Sequence, residues 1–201
     1  THESAGTFPR LLQQHARLRP AHPAFREKDL GIWQTSTWSE VERQVRLLAC
    51  GLAALGFQRG MNLAVVGDNR PRLYWAMAAA QSLGGVAVPM YQDAPAADMA
   101  YVLENAEIDF AIVEDQEQVD KLLEIRDSVP GMSHIIYDDG RGLRNYTQTG
   151  VHSLDSVQAL GQAHDRDHPH FFQQQVDAGN TNDIAVILYT SGTTGKPKGV
   201  C

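Results

Sequence analysis

The stretch TSGTTGKPKG, residues 190–199, has the composition of a loop that could bind phosphate groups. It carries three glycines, four hydroxyl side chains and two lysines. Glycine lets the backbone turn closely around a ligand, because no Cβ blocks the approach. Clustered backbone N–H groups form a concavity that binds anions, and lysine adds a mobile positive charge suited to phosphate. We call residues 190–199 the phosphate-loop segment.

The spacing within this segment does not match the common nucleotide-binding motifs. The pattern G-x-x-x-x-G-K-[ST] is not met from Gly192 or Gly195, and G-x-G-x-x-G occurs nowhere in the chain. The missing glycine fingerprint disfavours a nicotinamide-dependent oxidoreductase. From composition alone, a solvated glycine-rich turn remains the alternative interpretation.

The overall composition excludes several classes of protein. The 201 residues are 43% hydrophobic and 20% charged, which is typical of a folded globular chain. The net charge of −7 argues against nucleic-acid binding, and no apolar run is long enough for a transmembrane segment. Two cysteines, Cys50 and Cys201, give no disulfide framework, so we expect a reducing, cytoplasmic setting. Peripheral membrane association and oligomeric state stay open.

The elements upstream of the phosphate-loop segment alternate between strands and helices. Apolar runs at 62–67, 86–90, 110–114 and 134–138 are separated by helical patterns at 71–84, 96–107 and 117–129. Continuous apolar strands between helices are typical of a sheet covered on both faces. The sequence therefore predicts an α/β fold with a doubly wound, mostly parallel sheet and flanking helices.

The same pattern divides the chain into four regions. They are an N-terminal helix (1–21), an α/β body with a leading β-hairpin (22–138), a polar helical connector (139–182), and an incomplete second subdomain (183–201). In the last region, a strand over 184–190 opens directly into the phosphate-loop segment.

Other polar residues are better explained by structure than by chemistry. His164, His168 and His170 with Asp165 and Asp167 lack regular metal-ligand spacing, and we interpret them as part of a polar connector. Asp68 or Asn69 is predicted to cap the helix that begins near Pro71. Cys50 is predicted to be an inert core thiol.

The order of residues in YTSGTTGKPKGV, 189–200, resembles the phosphate-loop signature of the adenylate-forming superfamily. That superfamily includes acyl-CoA synthetases, luciferases and the adenylation domains of peptide synthetases. Two weaker resemblances precede it in the expected order, STWSEVERQV (36–45) and SLGGVAVPMY (82–91). The amino-acid sequences of two further stretches, FREKDLGIWQTSTW and AIVEDQEQVDKLLEI, are similar to those of bacterial long-chain fatty-acid–CoA ligases.

This resemblance implies an ATP-dependent enzyme. Such a ligase activates a long-chain fatty acid to an acyl-adenylate and transfers the acyl group to coenzyme A, releasing AMP and diphosphate with the help of Mg²⁺. Motifs expected further along such a ligase do not occur in the chain. We therefore expect an N-terminal fragment that is inactive alone, with its adenine, fatty-acid and coenzyme A sites mostly beyond residue 201. The alternatives are a ligase for another acyl or aryl acid, or a non-catalytic interaction module.

The resemblance also assigns site residues by position. Thr190 is expected to contact the magnesium of the nucleotide and its phosphates. Lys198 is expected to make a structured cationic contact, whereas Lys196 occupies a variable position and reads as a solvated surface charge. No catalytic residue is expected within the chain. The residues expected to line the phosphates are Ser191, Gly192, Thr193, Thr194 and Gly195.

Overall fold

The computed structural model describes residues 6–190 and 196–201, which form an α/β fold with a parallel sheet flanked by helices. The helices are α1 (Phe8–Leu18), α2 (Trp38–Ala54), α3 (Pro71–Ser82), α4 (Ala96–Asn105), α5 (Gln116–Glu124), α6 (Leu154–Asp167) and α7 (Phe171–Ala178). The strands are β1 (Pro23–Asp29), β2 (Ile32–Thr37), β3 (Asn62–Val66), β4 (Val86–Met90), β5 (Ile108–Val113), β6 (His134–Tyr137), β7 (Val151–Ser153), β8 (Leu188–Thr190) and β9 (Lys198–Val200).

The main sheet has five parallel strands in the order β4-β3-β5-β6-β7. The prediction of a parallel sheet flanked by helices is confirmed. Neighbouring residues of one strand point to opposite faces. Thus Leu63 and Val65 belong to an apolar cluster with α2, α3, α6 and α7, whereas Ala64 and Val66 belong to a second cluster with α4 and α5. Helices therefore cover both faces of the sheet.

The β-hairpin that follows α1 agrees with the sequence prediction, and helix α2 follows it directly. Strands β1 and β2 pair antiparallel around the two-residue turn Leu30–Gly31, where both residues have positive φ. Helix α2 begins with a capping box, in which Thr37 N donates to Glu40 Oε2 at 2.7 Å and Glu40 N donates to Thr37 Oγ1 at 3.4 Å. This reciprocal pair satisfies two backbone donors at the start of the helix.

Strand β7 was not expected from the sequence. It lies in the predicted polar connector and pairs parallel with β6, so the connector contributes an edge strand to the main sheet. Helix α6 follows directly and packs closely on α2. A Cβ on Gly161 would overlap the carbonyl oxygen of Leu47, and one on Gly51 would overlap that of Val157. Backbone contact at two glycines explains how a largely polar helix docks on the core.

The last segment of the chain leaves the edge of the main sheet and starts a separate one. Ile187 N donates to the carbonyl oxygen of Ala87 in β4 at 3.0 Å, which forms a single parallel bridge beside Val186. Strand β8 then pairs antiparallel with β9 in a two-stranded sheet. The predicted strand over 184–190 is thus a bridge followed by a three-residue strand. The division of the chain into four regions stays a prediction.

Among the described residues, no helix combines the length and the apolar character that crossing a bilayer requires.

Candidate functional site

The two-stranded sheet β8–β9 brings together two of the seven predicted site residues. Thr190 ends β8 and Lys198 begins β9, and their Cα atoms are register partners across the pair. Both residues are exposed to solvent. The other five predicted residues, Ser191 to Gly195, lie outside the described residues. The described geometry therefore pairs a threonine with a lysine across the two strands, near the two ends of the phosphate-loop segment.

Tyr189 anchors the strand that enters this segment. Its hydroxyl donates to Asn105 Oδ1 at 2.7 Å, and its half-buried ring packs with Ile187 against the second apolar cluster. Burial raises the pKa of the Tyr189 hydroxyl, with smaller contributions from Tyr101 and Cys201. A raised pKa keeps the hydroxyl protonated, so it remains a hydrogen-bond donor to α4.

Gly199 is required on the opposite strand because Tyr189 lies against it. A Cβ added to Gly199 would lie 2.9 Å from Ile187 Cγ2 and 3.2 Å from Tyr189 Cζ. Distances of this kind force a neighbour to move. The glycine that follows Lys198 is therefore explained by packing at the base of the segment, independently of any phosphate.

Lys196 makes a contact that the sequence did not indicate. The residue is exposed, as expected, but its Nζ lies 4.5 Å from the ring centroid of Tyr101 on α4. A cation over an aromatic ring at an exposed site contributes about 0.5–1 kcal/mol. The exposed ammonium group of Lys196 thus contacts an aromatic ring on α4, the helix that also receives the Tyr189 hydrogen bond.

A cavity of about 540 Å³ opens between α4 and the base of the phosphate-loop segment. Its wall is mostly apolar and includes Met90, Val102, Tyr189 and Pro197. Its volume lies within the range of about 300–1,000 Å³ that is typical of small-molecule sites. A second cavity, of about 430 Å³, lies between α1 and residues 179–185 and contains none of the predicted site residues.

The carboxyl ends of parallel strands are another common place for ligands. At the carboxyl ends of β3 and β5, the Glu114 side chain occupies this position. Glu114 Oε2 accepts the backbone N–H of Asp68 at 2.6 Å, and Glu114 Oε1 accepts from Arg70 Nε at 3.1 Å. The backbone N–H of Asp68, which an anionic ligand would need as a donor, is therefore already hydrogen-bonded to a carboxylate.

The predicted helix cap near Pro71 is wrong. The N-cap of α3 is Arg70, and it makes no side-chain capping hydrogen bond. Asp68 Oδ1 instead accepts from Gln92 Nε2, and Asn69 Oδ1 accepts from Tyr74 Oη, each at 2.9 Å. Pro71 at the first helical position has no N–H to satisfy, so the need for a cap is smaller.

The histidine-rich part of the connector offers no metal site in the described ranges. No group of three or more His, Cys, Asp or Glu side chains there could hold a metal ion. Asp165 forms a bidentate salt bridge with Arg46, with N–O distances of 2.8–3.0 Å. Cys50 lies beside this pair, and burial, with the nearby Asp165 carboxylate, raises the pKa of its thiol to about 12. A thiol with this pKa is not a nucleophile at neutral pH, as the sequence predicted.

The magnesium ion that the family resemblance implies would be carried by a nucleotide. Mg²⁺ prefers oxygen ligands and is usually held by substrate phosphates with one or two protein groups. Thr190 presents such an oxygen at an exposed position beside Lys198. Its hydroxyl is therefore suited to contact a nucleotide-bound ion.

A sequence model described as "AMP-binding enzyme" matches residues 12–201. The chain belongs to the AMP-binding enzyme family. The chain matches the long-chain-fatty-acid–CoA ligase ACSBG2 of Rattus norvegicus at 32% identity, covering 99% of this chain and 29% of that protein. It matches the ligase FadD15 of Mycobacterium tuberculosis at 29% identity, covering 94% of this chain and 30% of that protein. The chain thus spans less than a third of the length of these AMP-binding relatives.

Solved structures of AMP-binding enzymes share the fold. The acetoacetyl-CoA synthetase from Streptomyces lividans superposes with a TM-score of 0.74 at 22% identity, covering 96% of this chain and 30% of that one. The anthranilate CoA ligase AuaEII, in complex with anthranoyl-AMP, gives a TM-score of 0.71 at 20% identity, covering 96% and 34%. At these identities the likeness concerns the fold alone.

Proposed function

We propose that the full-length protein that carries this chain is an AMP-forming ligase for long-chain fatty acids. It activates the acid with ATP to an acyl-adenylate, then transfers the acyl group to coenzyme A with release of AMP. The observation that supports this most is the pairing of Thr190 with Lys198 at the ends of the family's phosphate-loop segment. The acid class rests on the relatives, because ACSBG2 and FadD15 are both named as long-chain-fatty-acid–CoA ligases.

The chemical problem in this reaction is bringing a carboxylate to a polyanion. In the proposal, Thr190, Lys198 and the backbone N–H groups of Ser191 to Gly195 neutralise charge on the β- and γ-phosphates as diphosphate departs. A hydrogen bond to a charged group contributes about 1.5–3 kcal/mol, so a few such donors acting together lower the barrier substantially. Magnesium, when bound with ATP, supplies further charge neutralisation at the same phosphates.

The anchored base of the segment supports the same role. Donors that stabilise a transition state act best when they are already in place. Tyr189 is fixed to Asn105 on α4, and Gly199 packs against the ring of Tyr189. Strand β8 is thus fixed to the α/β body through Tyr189, and β9 pairs with β8 and packs against it.

We also propose a reducing, cytoplasmic compartment and small-molecule substrates rather than nucleic acid. Cys50 and Cys201 are both free thiols. The net charge of −7 opposes binding to a polyanionic strand.

The acid class is tested by ATP–diphosphate exchange in the full-length protein with Mg²⁺ and carboxylic acids from acetate to oleate. We expect exchange that depends on long-chain acids. Equal exchange with acetate would contradict the long-chain assignment while keeping adenylation. No exchange with any acid would contradict the enzymatic proposal and favour an interaction module.

A further inference from the structure

The two ends of the phosphate-loop segment rest on one helix of the α/β body. On the entering side, Tyr189 Oη donates to Asn105 Oδ1 at 2.7 Å. On the leaving side, Lys196 Nζ lies 4.5 Å from the ring centroid of Tyr101. Tyr101 and Asn105 are four positions apart on α4, so they lie one helical turn apart on the same face. A single helix face therefore receives both ends of the segment.

Helix α4 is itself rigidly held. Met99 and Leu103 are fully buried in the second apolar cluster, and Val102 is nearly so. In contrast, the strands of the β8–β9 sheet expose most of their side chains, including Leu188, Lys198 and Val200. Among the described residues, this small sheet contacts the body through the bridge to β4, the packing of Ile187 and Tyr189, and the contacts with α4.

We infer that Tyr101 and Asn105 are positioning residues, which fix the phosphate-loop segment by holding Lys196 and Tyr189 respectively. The expected effect on the KM for ATP rests on the proposed function. The expected effect on hydrogen exchange rests on these contacts alone. Tyr101 and Asn105 do not touch the reacting atoms in this account. They set the position from which the donors of the segment reach the phosphates.

The inference gives Lys196 a function that its variable position did not indicate. Its ammonium group lies over the Tyr101 ring, so it acts as a tether for the leaving strand. Lys198, two residues later, is exposed and remains the lysine proposed to contact phosphate. In this account, Lys196 holds the leaving strand against α4 and Lys198 contacts phosphate, so replacing each lysine should change a different property.

The structural test is hydrogen–deuterium exchange of the full-length protein, followed across residues 188–201. Y101L removes the ring face, and K196M removes the charge without altering α4. We expect both variants to exchange faster than wild type in this stretch, whereas the conservative Y101F retains the ring and restores slow exchange. N105A and Y189F each remove the Tyr189–Asn105 hydrogen bond and should also speed exchange in this stretch. Unchanged exchange in Y101L and K196M would overturn the inference, and K196M decides it even if Y101L fails to fold.

The kinetic test separates positioning from general destabilisation. We expect Y101L and K196M each to raise the KM for ATP in diphosphate exchange by about 2- to 5-fold, the effect of losing one exposed cation–π contact. The double variant should be no worse than either single one, because both changes remove the same contact. Acyl transfer from a preformed acyl-adenylate should keep its wild-type rate. Equal losses in both half-reactions would overturn the positioning role.

The two proposals can fail separately. If the wild-type protein exchanges no diphosphate with any acid, the proposed function fails. Hydrogen exchange across residues 188–201 still decides whether Tyr101 and Asn105 hold the segment.

Discussion

At the level of single residues, the described ends of the phosphate-loop segment have both exposed side chains and side chains that contact the α/β body. Thr190 and Lys198 are exposed, and their assignment to phosphate, which rests on the family resemblance, stays a prediction. The partners of the side chains that contact the body could not be predicted from the sequence. Tyr189 and Asn105 are 84 residues apart, and a contact of that span leaves no local pattern in the sequence.

The two lysines of the segment provide a matched pair for mutation. We expect K198A to slow adenylation by about 10- to 100-fold, because it removes a charge-assisted contact to phosphates. Transfer of the acyl group from preformed acyl-adenylate should change little, since the β- and γ-phosphates take part only in the first half-reaction. K196A is the control and should have a much smaller effect on adenylation. Kinetics started from ATP and from synthetic acyl-adenylate measure the two steps, and equal losses for K198A in both would contradict its assigned contact.

At the level of secondary-structure elements, apolar periodicity was sufficient for the long elements and insufficient for the short ones, whereas the capping prediction failed for α3. Helix α2 combines an apolar stripe, which includes Val41, Val45 and Leu48, with the Thr37–Glu40 capping box. Strand β7 has only three residues, which is too short for any period to show. Its place at the sheet edge depends on pairing with β6, where His134 Nδ1 and His152 Nε2 lie 3.1 Å apart.

The docking of α6 on α2 was also hidden in the sequence, because it depends on two glycines in helices rather than on an apolar stripe. We expect G161A to lower the free energy of unfolding by about 1–3 kcal/mol, since its Cβ would overlap the Leu47 carbonyl oxygen. G131A is the matched control. Its Cβ would meet only the Ile108 carbonyl oxygen at 3.7 Å, so its effect should stay within about 0.5 kcal/mol. Urea unfolding followed by circular dichroism compares them, and equal stabilities would refute the close helix crossing.

At the level of the whole molecule, the α/β body supports the short, exposed β8–β9 sheet. Both faces of the main sheet are covered by helices, and α4 on one face carries the contacts to Tyr189 and Lys196. The fold class followed from the alternation of strands and helices. The placement of Tyr189 and Lys196 did not, because it depends on tertiary contacts with α4.

The central claim is that the protein that carries this chain activates a carboxylic acid by attack on the α-phosphorus of ATP. The most direct measurement uses oleate labelled with ¹⁸O in its carboxylate, incubated with the full-length protein, Mg-ATP and coenzyme A. A carboxylate oxygen that attacks the α-phosphorus stays with the nucleotide when the thiol takes the acyl group. We predict that mass spectrometry finds one ¹⁸O atom in the AMP released. AMP without the label, or ADP as the nucleotide product, would contradict the account.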